Sequence, residues 1–301
     1  MDEHAWILAT VAAAFAQTLR NALQRGLTAA VGVIGATHVR FLFGLPFALA
    51  FLAVIAEVTG RTPPLPGAAA LGWIGLGAAT QIGATALMLA AMRRRSFVVV
   101  TALTKTEPVQ VLLVALVVLG EVPTPMLVAA VLVATLGVLV LSWPGPAEAR
   151  AAGGRPGGAV VLGLGSAALI AVSAVAYRGG ILALDGAGDP LAAATALVVA
   201  LTMQATALGA WLAWRNRPAL GGIARAWRPS LLAGFMGAAA SLGWFTAFAL
   251  QETAAVRTLA LVELLFAQLI SLRLLRERTT PREAVGLGLL VVGVALVLEV
   301  D

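Results

Sequence analysis

Apolar residues run along this chain in long blocks broken by short polar stretches. A bilayer core takes about 20 apolar residues per helix, and blocks of that length occur ten times. They lie near Trp6–Gln24, Val31–Val58, Ala68–Met92, Ser96–Gly120 and Pro125–Trp143. A second set lies near Ala159–Tyr177, Pro190–Trp214, Pro229–Leu250, Ala254–Leu275 and Arg282–Val300. The blocks do not alternate and are about twice as long as a barrel strand. Lipid offers backbone N–H and C=O groups no partner, so such segments cross as helices. The pattern predicts an all-α polytopic membrane protein with ten transmembrane helices.

One connection differs from the others. Ser142–Gly158 reads SWPGPAEARAAGGRPGG, with three Pro and five Gly, the composition of a linker. It divides the chain into a first five-helix set at 1–143, a linker at 144–158 and a second set at 159–301. Shifting the chain by 156 residues superposes the two sets. Leu103, Glu107, Leu113, Leu119, Glu121, Thr124, Pro125 and Gly137 meet Leu259, Glu263, Leu269, Leu275, Glu277, Thr280, Pro281 and Gly293. Because five is odd, the second copy enters from the opposite face. Two such copies make an inverted-topology repeat, an arrangement of secondary transporters with the substrate site near the midplane.

Composition narrows the chemistry. Sixty per cent of residues are hydrophobic and 11% charged, against about a quarter charged in soluble domains. A soluble enzyme is excluded on that ground, and no His-Asp cluster or Ser-His arrangement suggests a membrane enzyme. No Cys and only two His leave little to hold zinc, haem or an iron–sulfur cluster, so no cofactor and no metal site are expected. No GxxxxGK[ST] motif occurs, so ATP does not drive the protein directly. The net charge of +6 is almost all Arg. It fits cytoplasmic loops of a membrane protein better than a nucleic-acid partner. The N-terminus carries no basic n-region, so the first apolar run is expected to stay as a helix.

Six charged residues fall at least three residues inside the span ends: Arg20, Arg40, Lys105, Glu107, Arg257 and Glu263. Each costs about 2.5–3.5 kcal/mol at a helix centre on insertion scales. Arg20 and Arg257 lie near span ends, where snorkelling to the interface is one reading. Glu107 and Glu263 lie near the centres of helices four and nine, beyond the reach of a short side chain. Three readings stay open for them: neutral through burial, paired with Arg or Lys, or carrying protons or meeting substrate amines. Arg40 and Lys105 reach similar depth, so either is placed to pair with Glu107, although Lys105 cannot share a face with a residue two positions away. The six sum to +2, which favours a substrate bearing a carboxylate or another anionic group.

Polar stripes of helical period mark candidate lining faces. Helix one carries Gln17, Asn21 and Gln24; helix three carries Gln81, Thr85, Met88 and Met92. Helix four carries Thr104, Glu107 and Gln110; helix six carries Ser166, Ser173 and Tyr177; helix eight carries Ser241, Trp244, Phe245 and Phe248. Interhelical hydrogen bonding uses the same residue types. Helices five and ten have no stripe and fit peripheral packing. Trp6, Trp73, Trp143, Trp211, Trp214 and Trp227 sit at span ends as an aromatic belt, whereas Trp244 is near mid-span. Thr124-Pro125 and Thr280-Pro281 read as helix starts, the latter with Glu283 as a capping box. Glu121 and Glu277 read as carboxylates near the next helix's N-terminus. Gly72, Gly75, Gly77 and Gly83, with Gly286, Gly288 and Gly293, would let helix backbones approach closely.

Thr106-Glu107-Pro108-Val109 with Gly120-Glu121, and Val262-Glu263-Leu264 with Arg276-Glu277, resemble the drug/metabolite transporter superfamily in its EamA-type ten-helix form. The family pattern is a mid-helix Pro, often after Glu, then a terminal Gly-Glu and a Gly-bearing last helix. The second copy departs from it, with Leu264 for the Pro and Arg276 for the Gly. The resemblance implies a transporter; known members export amino acids, other metabolites or toxic compounds, or carry nucleotide sugars.

The first reading is therefore a secondary active exporter of a small zwitterionic or anionic metabolite, such as an amino acid, working by alternating access. Proton coupling through Glu107 or Glu263, simple exchange and facilitated movement are all compatible. The alternatives are a multidrug exporter of lipophilic cations and a lipid flippase. Site candidates are Glu107, Glu263, Arg40, Lys105, Gln17, Asn21, Gln81, Thr85, Thr104, Gln110, Tyr177 and Trp244. The expected partners are a small-molecule substrate and the lipid bilayer, for a monomer in a bacterial-type inner (plasma) membrane. Loops on one side hold thirteen Arg and those on the other hold Arg61 and Arg178. The positive-inside rule then puts both termini on the non-cytoplasmic side, although the resemblance implies cytoplasmic termini.

Overall fold

The computed structural model describes residues 4–92, 100, 103–142, 157–186, 188–270 and 280–299. Arg93, Arg94, Arg95, Trp143, Arg150, Arg155, Leu275, Arg276, Glu277 and Arg278 lie outside them, as do the side chains of Asn21, Gln24, Arg25 and Met92. Eleven helices occur among the described residues. They are α1 (Ala5–Thr59), α2 (Ala68–Met92), α3 (Glu107–Leu119), α4 (Pro125–Ser142), α5 (Gly157–Leu182) and α6 (Pro190–Arg215). After them come α7 (Arg217–Arg225), α8 (Trp227–Leu250), α9 (Thr253–Leu259), α10 (Val262–Ile270) and α11 (Pro281–Leu298). Among the described residues six segments are long and apolar enough to cross a bilayer: Ile34–Thr59, Ala68–Met88, Gly158–Leu182, Pro190–Arg215, Trp227–Leu250 and Pro281–Leu298. Ala5–Arg20, Glu107–Leu119 and Pro125–Leu141 are shorter apolar helices.

Three places depart from the sequence pattern. Helices one and two are joined by continued helix, not by a loop, and the break inside α1 falls at Gly32 (φ 69°, ψ 174°). Only glycine takes that conformation at little cost, so the turn sits there and not at the polar Gln24-Arg25 step. The expected helix four is interrupted at Lys105–Thr106, and helix nine at Ala260–Leu261. Pro108 stands in the first turn of α3, where its missing N–H is tolerated; in mid-helix it would delete a hydrogen bond. The second copy lacks this Pro and breaks through short i→i−3 bonds instead, Leu261 N–H to Thr258 O at 3.1 Å and Leu264 N–H to Leu261 O at 3.0 Å.

The described helices pack as two compact units, and each takes helices from both sequence halves. Unit 1 comprises Met1–Ala78 with Ala176–Gln251, and unit 2 comprises Ala79–Val175 with Glu252–Asp301. In unit 1, α8 lies against both parts of α1. A methyl at Gly234 would fall 2.5 Å from the Phe43 carbonyl carbon, and one at Gly243 would fall 2.8 Å from Ala13 Cβ. At one end Asp189 accepts from Leu191 N–H to cap α6 and pairs with Arg61 at 2.9 Å. Arg178 donates to the carbonyls of Phe248 (2.5 Å) and Gln251 (2.6 Å), where α8 leaves carbonyls unpaired.

In unit 2, α4 and α11 make the close pair that their glycines suggest. A methyl at Gly293 would fall 2.5 Å from Ala134 N, and one at Gly286 would fall 2.7 Å from Leu141 N. Gly72 and Gly288 were expected to share this role but meet no atom within 4 Å among the described residues. The helix starts follow the sequence. Thr124 Oγ1 accepts from Leu127 N–H at 3.1 Å. Thr280 and Glu283 close a reciprocal capping box at the start of α11. Outward positions stay apolar; Val117 is 83% exposed and Leu8 73%, which suits lipid as solvent.

Candidate functional site

The intramembrane charges resolve into two groups, one per unit. In unit 2, Glu107 accepts from Arg257 Nε, and Glu263 pairs with Lys105. Both carboxylates are buried. Depth alone did not single out the cation hydrogen-bonded to Glu107, which is Arg257 from the second half of the chain. The helix breaks explain the exchange. Lys105 sits in the turn before α3 and pairs with Glu263, while Arg257 on α9 donates to Glu107. Arg257 is consequently no interface anchor. Each glutamate also stands in the first turn of a helix, α3 or α10, where exposed N–H groups favour negative charge.

The two pairs are crossed between the sequence copies. Glu107 and Glu263 are equivalent at the 156-residue offset, and each takes its cation from the other half of the chain. Around them Thr104 is buried, Thr106 Oγ1 donates to Leu103 O at 2.7 Å, and Gln110 Nε2 donates to Thr106 Oγ1 at 3.4 Å. Gln110 and Thr104 therefore border the break in helix four. Gln81 and Thr85 are partly buried on α2, where Thr85 Oγ1 donates to Gln81 O at 3.0 Å. Ser166 Oγ donates to Ala84 O at 2.8 Å, so this stripe residue serves helix–helix bonding. Glu121 does face a helix start, but that of α9, accepting from Thr253 N–H at 3.4 Å. The expected neighbour was helix five. Gly120 makes this possible by ending α3 at φ 70°.

Unit 1 gathers a polar cluster from helices one, two, six, seven and eight of the sequence pattern. Trp244 Nε1 donates to Gln17 Oε1 at 3.2 Å. Gln204 Nε2 donates to Tyr177 Oη at 3.1 Å, and the Tyr177 ring lies 4.6 Å from that of Phe245. Arg20 is 6% exposed, which corrects the interface reading: its side chain is inside. Arg40 lies over the Phe41 ring at 5.2 Å. Both arginine stems border Gly237. Asn21, the remaining member of the helix-one stripe, has a side chain outside the described set. Trp6 is buried, not part of the belt, whereas Trp211, Trp214 and Trp227 are exposed as expected.

Gln204 and His38 escape a sequence reading, and Arg257 and Arg20 are placed by it at span ends. Gln204 lies in an alanine-rich helix without a stripe, and only its fully buried amide marks it. Arg257 and Arg20 carried a usable signal in their charge, but nearness to a span end concealed it. His38 is also buried, and its Nδ1 has no hydrogen-bond partner among the described residues.

Buried charge on broken helices, within an apolar bundle that is all-helical among the described residues, marks a multi-pass membrane protein. Residues 4–143 match the EamA-like transporter family, part of the drug/metabolite transporter superfamily. No curated protein sequence matches the chain. A solved crystal structure, described only as that of a protein, is similar with a TM-score of 0.70. The two are 18% identical over 97% of this chain and 95% of that one, a likeness of fold alone.

Proposed function

We propose that the protein is a secondary transporter that exports a small zwitterionic or anionic metabolite, amino acids first among them. On this reading two inverted five-helix copies, ten spans in all, alternate access to a site near the midplane. The observation that carries it is the pair of helix breaks. Lys105–Thr106 and Ala260–Leu261 fall within one residue of each other at the repeat offset, and a paired glutamate follows each. Discontinuous helices at equivalent places of two copies are the arrangement that transporters use to put charge at a midplane site. Proton coupling, where it occurs, requires a proton to compete with Arg257 or Lys105 for a carboxylate.

The test is counterflow into liposomes preloaded with amino acids or organic acids. Labelled amino or organic acid is expected to accumulate with the wild type, and Glu107→Gln is expected to abolish it. Accumulation of lipophilic cations alone would replace this reading with multidrug export. Accumulation of lipid in the opposite leaflet alone would replace it with a flippase.

We further infer a bacterial-type inner (plasma) membrane with both termini on the non-cytoplasmic side, from the Arg asymmetry between loops. A C-terminal reporter active only in the cytoplasm is expected to stay dark; a bright reporter reverses the orientation.

A further inference from the structure

Between the spans α6 and α8, unit 1 carries a helix that is too short and too polar to cross. α7 (Arg217–Arg225) has nine residues, a length of about 13 Å. Single residues, Asn216 and Ala226, separate it from its neighbours. Joined so tightly to two spans, it stays at the level where α6 ends and α8 begins. One side of it is seated on the unit: Ile223 is buried in an apolar cluster with Leu212 of α6, Ala36 and Val39 of α1, and Ala233 of α8.

The other side is basic. Arg217 and Arg225 are exposed. They stand about 80° apart around α7, and Ile223 stands about 120° or more from each. Gly221 lies between them on the outward side, and a methyl there would meet no atom within 4 Å among the described residues. Both arginines are held by bonds to helix carbonyls. Arg217 Nε donates to Ala213 O at 3.0 Å, and Arg225 Nε donates to Gly221 O at 3.2 Å. The remaining N–H groups of each fork stay available to an outside acceptor. Arg215 and Arg228, also exposed, flank the helix. Their guanidinium carbons lie 4.2 Å from the Trp214 ring and 5.4 Å from the Trp227 ring. The sequence from 190 to 251 contains no Asp or Glu. Among the described residues none of these four arginines makes an ion pair.

The chemistry that fits this side is a phosphate at a lipid surface. The planar fork of Arg matches phosphate oxygens with two parallel bonds. A soluble anion would account for the arginines but not for Trp214 and Trp227, whose exposed indoles suit the headgroup level of a bilayer. A loop that served only to fix orientation needs charge; it does not need a helix seated in the core with its arginines bonded in place. We propose that α7, with Arg215 and Arg228, is a binding surface for the headgroups of anionic phospholipids, with phosphate taken up between Arg217 and Arg225 over Gly221. The inference needs only that unit 1 lies in a bilayer, and it is independent of what the protein transports.

The test uses the full chain in a neutral detergent, titrated with phosphatidylglycerol or phosphatidylcholine, with lipid retention read by native mass spectrometry. Phosphatidylglycerol is expected to bind about tenfold or more tighter than phosphatidylcholine, which two or more arginines at an anionic headgroup supply. The preference is expected to fall as salt is raised toward about 1 M, where screening acts within about 3 Å. Arg217→Gln/Arg225→Gln is expected to cut the preference about fivefold or more. Arg61→Gln, which removes an arginine already paired with Asp189, is expected to leave it intact. The exposed substitutions are expected to leave melting in phosphatidylcholine unchanged, and the lipid comparison and salt series on the wild type need no variant. Equal retention of the two lipids by the wild type overturns the proposal, as does a preference that the double variant keeps in full. Displacement of phosphatidylglycerol by millimolar inorganic phosphate also overturns it, in favour of a soluble-anion site. Counterflow tests the transporter reading separately from all of these results.

Discussion

Arg257→Met is expected to destabilise the protein by about 3–5 kcal/mol, because it strands Glu107 as a buried charge without a cation. The pair is well placed for such a loss. The Glu107 side chain is 5% exposed and that of Arg257 is 14% exposed, so water reaches neither freely. Removing both charges in Glu107→Leu/Arg257→Met is expected to recover most of the stability, since replacing a whole buried pair by apolar groups is often neutral or better. Transport is not expected to return, because the double variant lacks the carboxylate. The measurement is thermal or SDS unfolding in micelles, combined as a double-mutant cycle. An Arg257→Met protein within about 0.5 kcal/mol of wild type, the scatter of an ordinary surface change, would mean that the pair does not form.

Gly293→Ala is the second large effect expected. The added methyl would land 2.5 Å from the backbone nitrogen of Ala134 and 2.7 Å from its Cα. Backbone atoms of a packed helix cannot rotate aside, so α4 and α11 must part, at a cost of about 1–3 kcal/mol. Gly288→Ala on the same helix is the matched control. It meets nothing within 4 Å among the described residues, so only helix propensity acts, and a gain of about 0.5–1 kcal/mol is expected. The two positions lie on the same helix but about 140° apart around its axis, and equal melting temperatures would refute the close α4–α11 contact.

The membrane class and the helix starts were legible in the residues, and so was the presence of charges inside the spans. Chain-long hydropathy follows from the solvent, and capping at Thr124 and Thr280 is local chemistry within one turn. The equivalence of Glu107 and Glu263 could be read from spacing alone. Where each charge finds its partner could not. Depth along straight helices put Lys105 and Arg40 near Glu107, but the break at Lys105–Thr106 turns Lys105 to Glu263 and admits Arg257. A stretch of apolar residues carries no mark of a break when a 3₁₀ turn makes it, as at Ala260–Leu261.

Composition and periodicity thus determined that this chain crosses a membrane as helices, and the 156-residue spacing sets Glu107 against Glu263. Those properties depend on solvent transfer and on bonds within a turn, which are encoded by neighbours in sequence. Tertiary structure alone decided that the acids are crossed between halves, that Gln204 meets Tyr177, and that Arg20 and Arg40 converge at Gly237. Those contacts join residues far apart in the chain, and their geometry is set by glycine-permitted helix approach that no single segment specifies.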